Sequence, residues 1–348
     1  MTEDRAAGTI NIATSDISPN KVTSAKESVH GALAFSHPVK NGIVKNWEDM
    51  DRVWDHVFRE IRASPEEHPV LLTESPLNPK AEREKAAQVM FETYNIPGFY
   101  LIPSPQLSLH FPSVTAVVCE LGDTVTHAAP VYEGYSIKHA IQRTEVGGRD
   151  VTIHLSNCLA ERGYLFTTTS DLDAVQGIKE KHCYIEADDS SYISPSAGET
   201  TYQLPDGQDV ILGNERSRAP EVLFQPSIAG KDEAGLHEAI YGAINKCDPE
   251  LRHVLYRNIV LTGDTALLPG LVQRVQREIA ALAPDGMKVK VRPPPFGKYS
   301  TWIGGSILAS LSTFQDLWVT QQDYGEGGAE VVNRSEYFIE KLGIIVTY

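Results

Sequence analysis

The chain is short of positive charge, and that shortage is the first constraint on what it can bind. Its 348 residues carry 31 lysines and arginines against 46 aspartates and glutamates, a formal net charge of −15. Gripping a nucleic-acid backbone through a broad basic face needs the opposite balance, so direct nucleic-acid binding is not expected. An acidic surface favours basic protein partners instead. Cysteine is scarce: Cys119, Cys158, Cys183 and Cys247 are far apart, with no CxxC or Cys/His spacing. That excludes a zinc finger and a disulfide framework and suits reduced thiols in the cytosol or nucleus. Long apolar runs are missing. No stretch reaches the roughly 18 apolar residues of a membrane span, and polar Met1 to Ala7 lacks the apolar centre of a signal peptide. No tandem repeat is found. Glycine is nearly absent from the first 28 residues, where Gly8 stands alone.

What is present reads as a folded α/β protein. Hydrophobic residues make up 41% and charged residues 22%, and the length suits two domains with a large core. Residues 1–28 are polar and small and read as a mobile arm, except that Thr9-Ile10-Asn11-Ile12-Ala13 alternates as an edge strand would. Asn46 is placed to cap a helix with Trp47, Met50, Trp54, Val57, Phe58 and Ile61 at helical spacing. His68 to Thr73 reads as a buried strand. Asn78-Pro79 reads as an N-cap followed by proline at the first helical position, opening a helix to about Tyr94. Phe99 to Ile102 is a further strand. Thr115 to Leu121 and Ala128 to Tyr132 flank Gly122-Asp123-Thr124 as a hairpin, and Tyr202 to Leu204 with Val210 to Leu212 flank Pro205-Asp206-Gly207 as another. Leu236 to Cys247 and Leu271 to Leu282 are amphipathic helices on either side of a strand at Asn258 to Leu261. Trp302 to Leu311 suits a buried helix. The alternation of strands and helices means α/β architecture.

Several segments resemble actin. They are NWEDMDRVWDHVF from Asn46, PEEHPVLLTESPLNPKAEREKAAQVMFETYNIP from Pro65, VYEGYSIKHAIQR from Val131, GIKEKHCYI from Gly177, LPDGQDVILGNER from Leu204, APEVLFQPS from Ala219 and KYSTWIGGSILASLSTFQDLW from Lys298. In order, they cover about Val22 to Phe338. The resemblance implies two RNase H-like α/β domains flanking a nucleotide cleft, with the first domain truncated at its N-terminus. The expected layout is an arm at 1–28, an outer domain at 29–111 plus 300–338, an inner domain at 112–299, and an extension at 339–348 whose Ile344-Ile345-Val346 could dock on the body or on another protein.

The family holds triphosphate between two glycine-bearing hairpins, whose tip N–H groups face phosphate oxygens while a carboxylate organises the metal's water shell. The resemblance places Gly122, Asp123, Thr124 and Val125 on the second hairpin, with Asp123 reaching a metal through water. Glu120 stands where the family has a shorter aspartate, Leu121 replaces a serine, and Thr124 replaces a glycine, crowding the phosphates or blocking the tip's backbone conformation. The first hairpin, an Asp-Asn-Gly-Ser-Gly-type loop, has no counterpart; Ile12-Ala13-Thr14-Ser15-Asp16 offers hydroxyls but no glycine. The following hairpin and the pointed-end loop that grips the next filament subunit are missing too. For hydrolysis the family uses a histidine and a glutamine to align water. His127 matches the histidine, but the glutamine position falls on Ser104, whose hydroxyl is too short, beside Pro103 and Pro105; Gln106 lies two residues on.

The base and ribose side is better matched. Lys179, Glu180, Gly148 and Lys298 correspond to nucleotide contacts, as do Gly263 and Thr265 of Thr262-Gly263-Asp264-Thr265. Asp264 replaces a glycine near the phosphates and would repel them. Leu268 replaces an aromatic near the base. Asn41 stands where the family has a histidine that senses phosphate release. Tyr135, Ile307, Leu308 and Leu311 resemble the groove that receives partner helices.

Together these imply a divergent actin-like protein acting as a structural or regulatory subunit of a cytoskeletal or nuclear actin-related assembly. It needs no cofactor, its site is suited at most to weak ATP or ADP with magnesium, and it hydrolyses little or none. Actin, other actin-related subunits and actin-binding proteins are the expected partners, with no membrane contact, in the cytoplasm and cytoskeleton or the nucleus. The alternative is an ATP-binding, filament-forming actin with an unusual N-terminus. A sugar kinase or chaperone ATPase on the same fold is disfavoured by the unbroken actin-like segments, and a truncated paralogue product is a further reading.

Overall fold

A computed structural model describes residues 10–12, 37–109, 115–186, 198–204, 207–294 and 296–334. The arm apart from 10–12, the Pro205-Asp206 turn tip and the extension beyond Phe338 lie outside the described residues. The chain divides into two compact units. Described residues 10–12, 37–109 and 299–334 belong to the first and 115–298 to the second.

In the first unit the strands are β1 (Ile10–Ile12), β2 (Val39–Lys40), β3 (Ile43–Val44), β4 (Val70–Glu74), β5 (Gly98–Pro103) and, from the end of the chain, β14 (Val319–Thr320). Its helices are α1 (Trp47–Ile61), α2 (Lys80–Gln88), α3 (Ser104–Leu107), α10 (Ser300–Ala309) and α11 (Gln321–Gly327). The main sheet runs β1-β4-β5-β14, with β1 parallel to β4 from Ile10↔Val70 to Ile12↔Leu72 and β14 antiparallel to β5. The short strand expected at 9–13 is therefore real and lies at a sheet edge. Strand β4 is buried along its whole length because both faces of the sheet are covered. Its side chains alternate between two cores: Val70 and Leu72 join Met50, Trp54 and Phe58 of α1, while Leu71 joins Tyr100, Leu308 and Phe314.

Asn46 caps α1 as expected, its side chain accepting from Asp49 N at 3.1 Å. The expected start of the next helix is shifted. Pro79 occupies the cap position and α2 begins at Lys80, while the Asn78 amide donates to Glu74 Oε2 at 3.1 Å. Glu74 is buried and ion-paired with Arg83 at 3.1 Å, so a neutral donor is better used there than at the cap. The helical run reaches Thr93, with Tyr94 as its cap, as expected, but its last stretch, Val89–Thr93, is a single π turn. Helix α10 is buried on one face only. Its small residues Gly304 and Gly305 face inward, and a side chain at Gly304 would strike the Leu107 carbonyl, whereas Trp302 and Ile307 are exposed.

The second unit contains β6 (Ala116–Leu121), β7 (Thr126–Tyr132), β8 (Tyr135–Ser136), β9 (Gln142–Thr144), β12 (Ile259–Thr262) and β13 (Val291–Arg292) in one sheet. The order is β13-β12-β6-β7-β8, with β9 also paired to β7. A separate hairpin joins β10 (Thr200–Gln203) and β11 (Asp209–Leu212). The helices are α4 (Gly148–Glu161), α5 (Thr169–His182), α6 (Glu215–Arg218), α7 (Leu236–Asn245), α8 (Pro249–Arg257) and α9 (Leu271–Leu282). They share one large apolar core with the sheet, including Leu155, Ile178, Ile240, Leu261 and Val275.

Candidate functional site

A closely knit polar cluster of the second unit sits where the β6–β7 turn meets the start of α4. Gly122 closes the turn by donating its N–H to Val125 O at 3.0 Å. Its carbonyl accepts from Gly148 N at 2.9 Å, and the Asp123 carbonyl accepts from Arg149 N at 2.7 Å. The first amides of α4, which have no partner inside the helix, are thus satisfied by the hairpin tip. The Arg149 guanidinium also holds the Asp123 carboxylate at 2.9 Å. Close approach requires glycine: a Cβ at Gly147 would overlap the Asp123 carbonyl, and one at Gly148 would lie 2.5 Å from Thr265 Oγ1.

Two further segments complete the cluster. Gly263, at φ +92°, packs so tightly that a Cβ would overlap the Leu121 carbonyl. It leads into Asp264 and Thr265, whose Oγ1 lies 3.4 Å from Gly122 O. From α5, buried Lys179 extends its Nζ to Gly148 O at 2.9 Å. Burial pulls the Lys179 ammonium below its ordinary range, and the charges of Asp123, Glu180 and Asp264 act against that pull.

The structure therefore brings Gly122, Asp123, Val125, Gly148, Lys179, Gly263, Asp264 and Thr265 together. Thr124 is at the same tip, and its φ is not positive. The expected block on the backbone conformation is thus removed, because the tip forms without needing glycine there. Glu180 is exposed on α5 and accepts from Gln176. Lys298 is half-buried in the turn Gly297–Tyr299, and Leu268 is core. Strand register lines up Thr262, Glu120, His127 and Arg143 across β12, β6, β7 and β9. His127 is almost fully buried, and burial first, then the nearby Arg143 charge, lower its pKa to about 3.

The remaining expected residues lie elsewhere. Ser104 is buried at the start of α3 in the first unit, with Gln106 half-buried in the same turn. Leu308 is core and Leu311 packs against the same cluster, while Ile307 on α10 is exposed. Tyr135, in the second unit, lines a depression of about 400 Å³ with Tyr132, Ile137, Asp248, Glu250 and Leu251. Asn41 forms with Gly42 a two-residue turn, both at positive φ, joining β2 to β3. Among the described residues no group of three or more His, Cys, Asp or Glu side chains could hold a metal, and no helix is long and apolar enough to cross a membrane.

The family model for actin matches residues 11–336. The chain belongs to the actin family. Its α/β sheets and helices are those of an actin-like fold. Within this family setting, the residues of the cluster missed by sequence reasoning are Gly147 and Arg149, while Thr126, at the base of the same hairpin, donates its hydroxyl to Val146 O at 2.7 Å. The Gly147-Gly148 pair next to an arginine was the available signal, since paired glycines before a helix mark a backbone that something approaches closely.

Proposed function

We propose that this actin-family chain works by binding other proteins, as a structural or regulatory subunit of a cytoskeletal or nuclear actin-related assembly, with little or no ATP hydrolysis. The observation that carries this reading is the state of Lys179 in the glycine cluster. Its ammonium is bonded to the Gly148 carbonyl and lies near the carboxylates of Asp123 and Asp264. Lys179, a buried cation beside the candidate phosphate position, is thus already engaged, and Asp264 adds negative charge where the resemblance calls for glycine. The short hydroxyl of Ser104, buried at the start of α3, supports the same conclusion. Partners would be actin, other actin-related subunits or actin-binding proteins, in the cytoplasm and cytoskeleton or in the nucleus.

The glycine cluster fits part of a nucleotide site. Gly122, Asp123, Thr124, Gly148, Lys179 and Thr265 are the residues that would contact ATP or ADP, and Asp123 would meet magnesium through water. A bound magnesium nucleotide would supply the phosphoryl group; the chain's own residues bind and orient, weakly on this reading. One observation favours the second reading, an ATP-driven filament former. Strand β1 pairs parallel with β4, and the hydroxyl-bearing Thr14 and Ser15 follow it directly in sequence. Calorimetric titration with Mg-ATP beside a phosphate-release assay separates the two. The first reading expects no binding, or binding without turnover. Micromolar affinity with turnover would refute it and establish a working nucleotide cycle.

A further inference from the structure

Trp54 on α1 is only 1% exposed, yet its Nε1–H has no hydrogen-bond partner among the described residues. Glu82, in the first turn of α2, has its Oε2 sealed from solvent and likewise unpartnered among them. Both residues line one cavity, with about 40 Å³ open to the centre of a water molecule, whose wall also includes Val39, Gly42 and Val44 of the β2–β3 hairpin and Trp47. A single buried water needs roughly 10–15 Å³ of occupied volume and two or more polar partners, so the cavity has room for one. Buried polar atoms left unbonded are costly enough to be rare.

The chemistry of the two orphans selects the occupant. An indole N–H only donates and an ionised carboxylate only accepts. A metal ion or ammonium would serve Glu82 and leave the indole unsatisfied. An anion would serve the indole and be repelled by Glu82. Glu74, the other carboxylate on this wall, is already paired with Arg83 and bonded by Asn78. Only a neutral species that both accepts and donates suits the pair, and water is the smallest that does.

We propose that an internal water belongs to this cavity, accepting from Trp54 Nε1–H and donating to Glu82 Oε2, so that it links α1 to α2 beneath the hairpin. The test uses the full chain, deuterated and labelled with ¹⁵N. Its four tryptophans give four indole N–H correlations, and Trp54→Phe assigns one. The expected result is a through-space transfer from water to the Trp54 indole proton with the sign of a long-lived bound molecule. Glu82→Gln, which keeps an acceptor oxygen, should retain it. Glu82→Leu should abolish it while the other three indole signals stay in place, showing that the fold persists. Absence of the transfer in the wild type, or its persistence in Glu82→Leu, would overturn the proposal. So would an indole shift that tracks added potassium or ammonium, which would make the occupant a cation.

Discussion

At the scale of single residues, the second unit contains a histidine held neutral by its surroundings. His127 stands between Glu120 and Arg143 in strand register, and its pKa falls from 6.5 to about 3 mainly through burial. The folded value lies below the unfolded one, so as pH falls the unfolded chain takes up the proton first. The contribution of His127 to stability is complete above pH 6.5 and is lost progressively as pH drops toward 3. The loss is about 1.4 kcal/mol for each pH unit in that window. His127→Gln has no such proton to refuse. Urea unfolding at pH 7 and about pH 5 should therefore show wild type losing roughly 2 kcal/mol more than the variant between the two conditions. Equal losses would mean that His127 takes up its proton as readily in the fold as in the unfolded chain.

At the scale of elements, α1 is the helix most visible in the sequence and the one whose entry rests on a single side chain. Its 15 residues place Met50, Trp54 and Phe58 in the core, while Asn46 satisfies the Asp49 amide. Asn46→Ala should cost about 1 kcal/mol, read as a lower urea midpoint with an unchanged slope. A loss of only a few tenths would indicate that water replaces the cap. The neighbouring α2 behaves differently. Its start is displaced by one residue because Asn78 serves the buried Glu74, and its end becomes a π turn at Val89–Thr93. Neither change has a local sequence signal. Both segments also hold partners far along the chain: Arg83 reaches Asn333, and Glu92 within the π turn accepts from the Tyr324 hydroxyl at 2.8 Å.

At the scale of the whole molecule, the two units carry separate natural reporters. All four tryptophans, Trp47, Trp54, Trp302 and Trp318, belong to the first unit, and all four cysteines belong to the second. Every thiol is buried, and burial raises Cys183 to about 12 and Cys247 to about 11. Native protein should therefore give almost no reaction with a thiol reagent at neutral pH and four equivalents after denaturation. Gly263→Ala forces a side chain against the Leu121 carbonyl at a positive φ and should destabilise the second unit by about 2 kcal/mol or more. The denaturant midpoint for thiol exposure should fall, and the tryptophan-fluorescence midpoint should move less. Equal shifts would mean that both units unfold as one. Much of this plan was legible beforehand. The alternation of strands and helices, the cap at Asn46, the edge strand at 10–12 and the glycine turn at Gly122 follow from local preferences and periodicity, which each segment carries by itself. The ordered segments also resembled actin, and the family model over residues 11–336 shows that membership. What only the tertiary structure decided is which groups meet: Arg149 holding Asp123, Lys179 bonded to the Gly148 carbonyl, Thr124 tolerated at the tip, and Leu308 turned into the core. Those contacts join residues distant in sequence, and their energies come from burial and close approach, which no local pattern encodes.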